Sequence, residues 1–320
     1  MRLRDELGLE QPGAVRLGFG CASLVGKGFD ASDGERLLEV VLDAGVRYFD
    51  TARMYGEGRA EAVLGSLAAR RRSDMVIVSK AGILPPSRSP VARGLRKAYA
   101  LAHRTAPGSQ TWLKPPAFCE PEFNVFSRKA LTASVEASLQ ELRTDYLDIL
   151  LLHDLDPADL TDDLLDTVQT LQREGKARHV GIATDPPQTR SLVQRKETPT
   201  ELVQFASSVW NDNLSSIRAL TDAPLAIHSA MGTRFRALAQ RLKTMPDRAS
   251  VWSQRLGMNV AEPAVLAELF LGHALASNPG GLVLFSSVNA QHVKRNIATA
   301  GKTISSETLT AFESLARDEH

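Results

Sequence analysis

The sequence runs to 320 residues, and its 38 Lys and Arg against 37 Asp and Glu leave a net charge of +1, so no one-signed field recruits a nucleic acid or an anionic membrane surface. With 43% hydrophobic and 23% charged residues, the composition is that of a globular chain with a sizeable core, not a disordered or fibrous one. Two cysteines, Cys21 and Cys119, are too few for a disulfide framework or a Cys-rich zinc site, and the opening Met-Arg-Leu-Arg-Asp-Glu-Leu lacks the order of a secretory signal, which together point to the cytoplasm.

No stretch approaches the ~18 uninterrupted apolar residues that cross a bilayer. Instead, short apolar runs alternate with longer amphipathic ones. In chain order, a strand over 15–20 closes on Gly18-Phe19-Gly20, read as a tight turn. A helix over 32–44 follows, opened by Ser32 and Glu35 as a capping box and stopped by Gly45. Next come a strand over 46–50, a helix over 59–71 and a strand over 75–80. Residues 81–126 form a Pro-rich excursion with Pro85-Pro86 and Pro115-Pro116, longer than the ~12–15 residues at which loops inside compact domains become uncommon. Beyond it the alternation resumes: helix 127–143, strand 147–153, helix 157–174 closed by Gly175, strand 179–184, helix 189–195, strand 202–206, helix 214–221, strand 225–229 and helix 235–243. A polar connector over 244–262, read as a surface loop, leads to helix 263–276, strand 282–286 and helix 290–299.

Several strands, such as Met-Val-Ile-Val and Ile-Leu-Leu-Leu, lack polar alternation, as expected of parallel strands covered on both faces. Eight β-α units predict an α/β fold of the (β/α)8 TIM barrel type, a single domain over 1–320, since such barrels take ~250 residues or more with insertions. Active sites of these barrels sit at the carboxyl ends of the strands. There the second strand ends in Asp50 with Tyr55 five residues on, the third in Lys80 and the fourth in His153. Alone, Asp50 and Lys80 read as a buried ion pair and His153 as a core histidine. Together the four make a proton-donor set: an ammonium beside the phenol lowers its pKa, Asp50 keeps the lysine charged, and Tyr55 protonates a carbonyl oxygen positioned by His153. None of the four is a hydride source, so a nicotinamide cofactor must supply it.

The segments YFDTARMYG (48–56), VSKAG (78–82), LDILLLH (147–153) and GKARHVGI (175–182) resemble the aldo-keto reductase family in order and spacing, over about residues 15–297. The resemblance implies Tyr55 as general acid, Lys80 and Asp50 as its tuning pair and His153 as the residue orienting the carbonyl. It implies that Gln204 holds the nicotinamide carboxamide. Ala183-Thr184 stands where the family has Ser-Asn, leaving the Thr184 hydroxyl, and His228 stands where the family stacks a tyrosine on the nicotinamide. Ser229 matches the pyrophosphate serine, and FSSVNAQHVKRN (285–296) resembles the adenosine-phosphate loop, with Ser287 and Asn296 matching. Where NADP-preferring members carry a lysine and an arginine on the 2′-phosphate, this chain has Ser286 and His292, and near neutral pH an imidazole supplies only part of an arginine's charge. Lys294 and Arg295 lie close by. Cys21 and Asp50 complete the cofactor-side candidates.

The resemblance thus implies an NAD(P)-dependent oxidoreductase that interconverts a small aldehyde or ketone, or a sugar lactol, with the alcohol or lactone. It implies a modest preference for NADP(H) with NAD(H) also used, while the excursion 81–126, which leaves the carboxyl end of the third strand, is expected to select the substrate, with Trp112, Phe118 and Phe123 walling the pocket. The alternative is a non-catalytic nicotinamide-binding redox sensor. No metal is expected, because the seven histidines show no ligand spacing such as His-x-x-x-His. No nucleophile elbow and no phosphate-gripping P-loop appears either.

Overall fold

A computed structural model describes residues 3–9, 15–25, 30–105 and 115–319. Eight strands, β1 (Leu17–Gly20), β2 (Tyr48–Asp50), β3 (Val76–Ala81), β4 (Leu147–His153), β5 (Ala177–Ala183), β6 (Val203–Ala206), β7 (Leu225–His228) and β8 (Leu282–Phe285), form a closed barrel in chain order. Every pair is parallel, and the seam is closed by Leu17 opposite Val283 and Phe19 opposite Phe285. The helical elements are α1 (Leu3–Glu6), α2 (Ala31–Asp43), α3 (a single irregular turn, Tyr55–Gly58), α4 (Ala60–Arg71), α5 (Pro90–Thr105), α6 (Arg128–Leu142) and α7 (Asp162–Arg173). They continue with α8 (Pro186–Val193), α9 (Asn213–Arg218), α10 (Phe235–Thr244), α11 (Pro246–Leu256), α12 (Pro263–Ser277), α13 (Ala290–Ala300) and α14 (Ser306–Arg317). This is the (β/α)8 barrel that the alternation predicts.

Period-two alternation divides each strand between two cores. Tyr48, Val78, Ile149, Leu151, Ala226 and Leu284 pack with one another inside the barrel. Phe49, Ile77, Leu150, Leu152, Phe205 and Val283 face the helix layer. Asp50 and Lys80 lie two residues after Tyr48 and Val78, so the pleat aims both into the top of the barrel. Gly18 and Gly20 are strand residues, not a tight turn. Gly18 pairs with Tyr48, and a side chain there would overlap the Leu284 and Tyr48 side chains, so the missing Cβ makes room for a phenol ring in the barrel centre.

Other expectations shift. The cap of α2 is Asp30, reciprocated by Asp33, because Asp30 has the extended backbone that aims its carboxylate at the Asp33 N–H. The helix expected over 157–174 divides into a short 3-10 turn (Pro157–Asp159) and α7, each with its own cap, Asp156 and Thr161. The connector 244–262 is largely α11: Pro246 opens it, Gly257 in the left-handed conformation ends it, and Ala249, Trp252 and Leu256 bury one stripe against a satellite core with Leu242, Phe270 and Phe312. The excursion 81–126 carries α5 and is pinned at its base by Leu84 pairing with Glu122 and by Val125 N–H donating to Gly82 O.

Candidate active site

Asp50 ends β2 and Lys80 lies one residue from the end of β3, on neighbouring strands. The Lys80 ammonium, 1% exposed, donates to Asp50 Oδ1 at 2.6 Å and to Thr51 O at 2.9 Å. It stands 4.8 Å from the Tyr55 ring centroid, near enough for its charge to act on the phenol. His153, at the end of β4, meets Tyr55 edge to face with ring centroids 6.2 Å apart. The four residues singled out by strand-end position are therefore brought together at the barrel mouth.

Their protonation is set first by burial. Removal from water raises the Tyr55 phenol above its usual value and outweighs the Lys80 charge that pulls it down, which reverses the lowering expected from the lysine alone. For Lys80 burial pulls downward, but Asp50 and Tyr55 together hold the ammonium above its ordinary range. His153 is pushed down to about 3 by burial, with Lys80 and His228 adding repulsion. At neutral pH the site holds a neutral phenol, a fixed ammonium and a neutral imidazole.

Beside these residues opens a cavity of about 520 Å³, within the range of small-molecule sites. Its lining includes Asp50 and Tyr55, Gln204, His228 and Ser229, and Ser286 and Asn296. The Gln204 side chain is 3% exposed and its Oε1 has no hydrogen-bond partner. Such an orphaned acceptor is costly unless a bound group satisfies it, and an amide N–H2 is the donor it suits. Burial lowers the His228 pKa. Its Nδ1 lies 2.9 Å from the hydroxyl of Ser229, which occupies the left-handed region at φ 61°, so a strained turn clamps the ring.

The remaining candidates stand outside the lining. Cys21 is fully buried, with burial pushing its thiol up, while its neighbours Gly20 and Ala22 face the cavity. The Thr184 hydroxyl is engaged with Thr189 Oγ1 at 2.7 Å. Ser287 Oγ donates to Asn289 O, and exposed His292 lies on the first turn of α13, capped by Asn289. Phe118 and Phe123 are 48% and 54% exposed, and Trp112 lies outside the described residues. The sequence did not single out Met231, Gly232 and Thr233, the β7–α10 loop that lines the cavity. It also did not single out the cluster behind Tyr55, where fully buried Glu61 of α4 accepts from Arg53 Nη1 at 3.0 Å and from Ser79 Oγ at 2.6 Å.

Among the described residues no group of three or more His, Cys, Asp or Glu is placed to hold a metal, and no helix is long and apolar enough to cross a membrane. The sequence model described as the Aldo/keto reductase family matches residues 16–317. The Bacillus subtilis (strain 168) protein described as uncharacterized oxidoreductase YqkF is 27% identical over 207 residues, 64% of this chain and 56% of that one, so the chain spans little more than half the length of that relative. The holo form of an aldo-keto reductase from Bacillus halodurans superposes with a TM-score of 0.68 at 21% identity, covering 94% of this chain and 91% of the other. An aldo/keto reductase from Klebsiella pneumoniae in complex with NADP and acetate gives a TM-score of 0.66 at 21% identity over the same shares.

Proposed function

The chain belongs to the aldo/keto reductase family, and from that premise we propose that it is a nicotinamide-dependent oxidoreductase interconverting a small aldehyde or ketone, or a sugar lactol, with the corresponding alcohol or lactone. The observation that carries the reading is the grouping of Asp50, Lys80, Tyr55 and His153, of which Asp50 and Tyr55 line a cavity that is also lined by Gln204 with its unpartnered Oε1. Gln204 would bind the carboxamide and His228 would lie against the ring of a nicotinamide, which supplies the hydride when bound.

Tyr55 gives its proton to the carbonyl oxygen as the carbon is reduced. Its raised pKa keeps that proton in place through the neutral range, and Lys80, fixed by Asp50, stabilises the phenolate left behind. Neutral His153 donates a hydrogen bond to the same oxygen and orients it. The mouth binds a small substrate, selected by segment 81–126.

Ser286 and Asn296, which line the cavity, would hold the adenosine end of the cofactor, with Ser287 and His292 beside them in sequence. Lys294 and Arg295, exposed on α13, would supply the positive charge that a 2′-phosphate requires. This supports NADP(H) preference with NAD(H) also accepted. The test is consumption of NADPH and NADH by the purified protein across a panel of aldehydes and sugars. Turnover supports the reading; cofactor binding without turnover across the panel replaces it with a redox sensor.

A further inference from the structure

Glu61 is a fully buried acid that lies outside the site residues named so far. It lies in the first turn of α4, is 0% exposed, and faces the back of β3, where an apolar residue would fill the same space without the cost of burying a charge. The carboxylate is instead fully engaged. One oxygen takes the Arg53 guanidinium at 3.0 Å, the other the Ser79 hydroxyl at 2.6 Å, and the positive end of α4 adds to both. Each partner sits beside a residue of the site. Ser79 precedes Lys80 in β3. Arg53 lies inside the tight turn closed by Tyr55 N–H donating to Ala52 O at 3.0 Å. The chain from Arg53 to Glu61 is a small loop shut by the ion pair, and within it Gly56 and Glu57 both take left-handed backbone, at φ 57° and 56°, immediately after Tyr55. A backbone with two consecutive residues in that region holds one shape only if its surroundings fix it.

We propose that Glu61 is a positioning residue for the reaction: by gripping Arg53 and Ser79 at once, its carboxylate locks the loop that carries Tyr55 to the strand that carries Lys80. The proposal rests on the functional reading above, and it assigns Glu61 no contact with substrate or cofactor. Misplacing a proton donor by about 1 Å costs on the order of a hundredfold in rate, so the expected loss is in kcat.

The experiment compares Glu61→Gln and Ser79→Ala with the parent protein and with Tyr55→Phe. It measures kcat, KM, the NADPH dissociation constant by quenching of tryptophan fluorescence, and the melting temperature. Glu61→Gln is expected to lower kcat about ten- to a hundredfold while the NADPH dissociation constant moves less than about threefold. Added to Tyr55→Phe, it is expected to lower the residual rate no further, because a residue that acts through Tyr55 has nothing left to position. A parental kcat in Glu61→Gln overturns the proposal, as does an undiminished loss of rate in the Tyr55→Phe background. If Glu61→Gln fails to fold, Ser79→Ala carries the same comparison with only a hydroxyl removed. If the parent reduces no carbonyl while binding NADPH, the functional reading has failed, and the positioning proposal falls with it; turnover in the parent with no effect of either variant removes the positioning proposal alone.

Discussion

Tyr55 and His153 lie side by side at the barrel mouth, and loss of hydration keeps both in their neutral forms, in opposite senses. For the phenol this retains a proton to give; for the imidazole it removes a charge that would repel Lys80. Replacing Tyr55 with Phe deletes one hydroxyl on the substrate side and leaves Gln204 untouched. Turnover should then fall by about 10²-fold or more with NADPH affinity nearly unchanged, as steady-state kinetics paired with fluorescence titration would show. For His153, with its pKa held at about 3, the ring should show no change of protonation between pH 5 and 8 by NMR; an inflection near 6.5 would contradict the burial argument. Such a group also has a stability signature. Unfolded imidazole binds a proton below about pH 6.5 and the folded one does not, so stability drains as pH falls through that window. The four central residues were legible in the sequence because each lies within a few residues of a strand's carboxyl end, where barrel geometry makes position meaningful. Glu61 was not, since one acid in the first turn of an amphipathic helix reads as a solvated residue or a dipole partner, and only the fold shows Arg53 and Ser79 closing around it.

Helices α4 and α6 cross so closely that a Cβ on Gly65 would meet the backbone of Glu141 and Leu142. Gly65→Ala should therefore cost about 1–3 kcal/mol of stability despite alanine's better helix propensity, measurable as a lowered denaturant midpoint at unchanged slope. Elements with strong local signals were read with good bounds: Leu147–His153 was placed to the residue, and α6 and α12 nearly so. Those read poorly share one property, that their burial is created by partners distant in sequence. The stripe of α11, Ala249, Trp252 and Leu256, is short and shares its helix with exposed Val251, and its apolar partners arrive from α10, α12 and α14. The local signals in 244–262 are Pro246 at the start, Gly257 just past the end and the i, i+3, i+7 spacing of Ala249, Trp252 and Leu256, three apolar positions set among polar ones. For α14 the cap at Ser305 is present in sequence, but its buried Phe312 gains a meaning only beside Phe270, at ring centroids 4.8 Å apart. The α2 cap shows a subtler limit: Ser32 and Glu35 fit the capping pattern as well as Asp30 and Asp33 do, and backbone conformation at Asp30 decides between them.

At the amino-terminal face of the barrel, α1 lies across the strand ends and is fastened by His179 of β5, whose two ring nitrogens meet Glu6 at 2.8 Å and Glu201 at 2.7 Å. Hydrogen bonding to Glu201 first, and then to Glu6, raises the His179 pKa against the opposing effect of burial. A raised imidazole stabilises the fold fully below its unfolded value of about 6.5 and loses that contribution as pH rises through the higher folded value. The melting temperature should thus decline from pH 6 toward pH 9, and His179→Gln should flatten that decline; an equal slope in both proteins, by calorimetry, would show the clasp to be unimportant. The seam between β1 and β8 reaches further, into how the molecule comes into being. Residues 17–19 find their second neighbours only at 283–285, so during synthesis β1 waits with one edge bare until β8 has left the ribosome. Such contacts between distant parts of a chain form slowly, and open strand edges invite pairing between molecules. A chain stopped before Leu282 should therefore accumulate as aggregate, not as a seven-stranded monomer, and nascent chains should resist protease only once β8 has emerged.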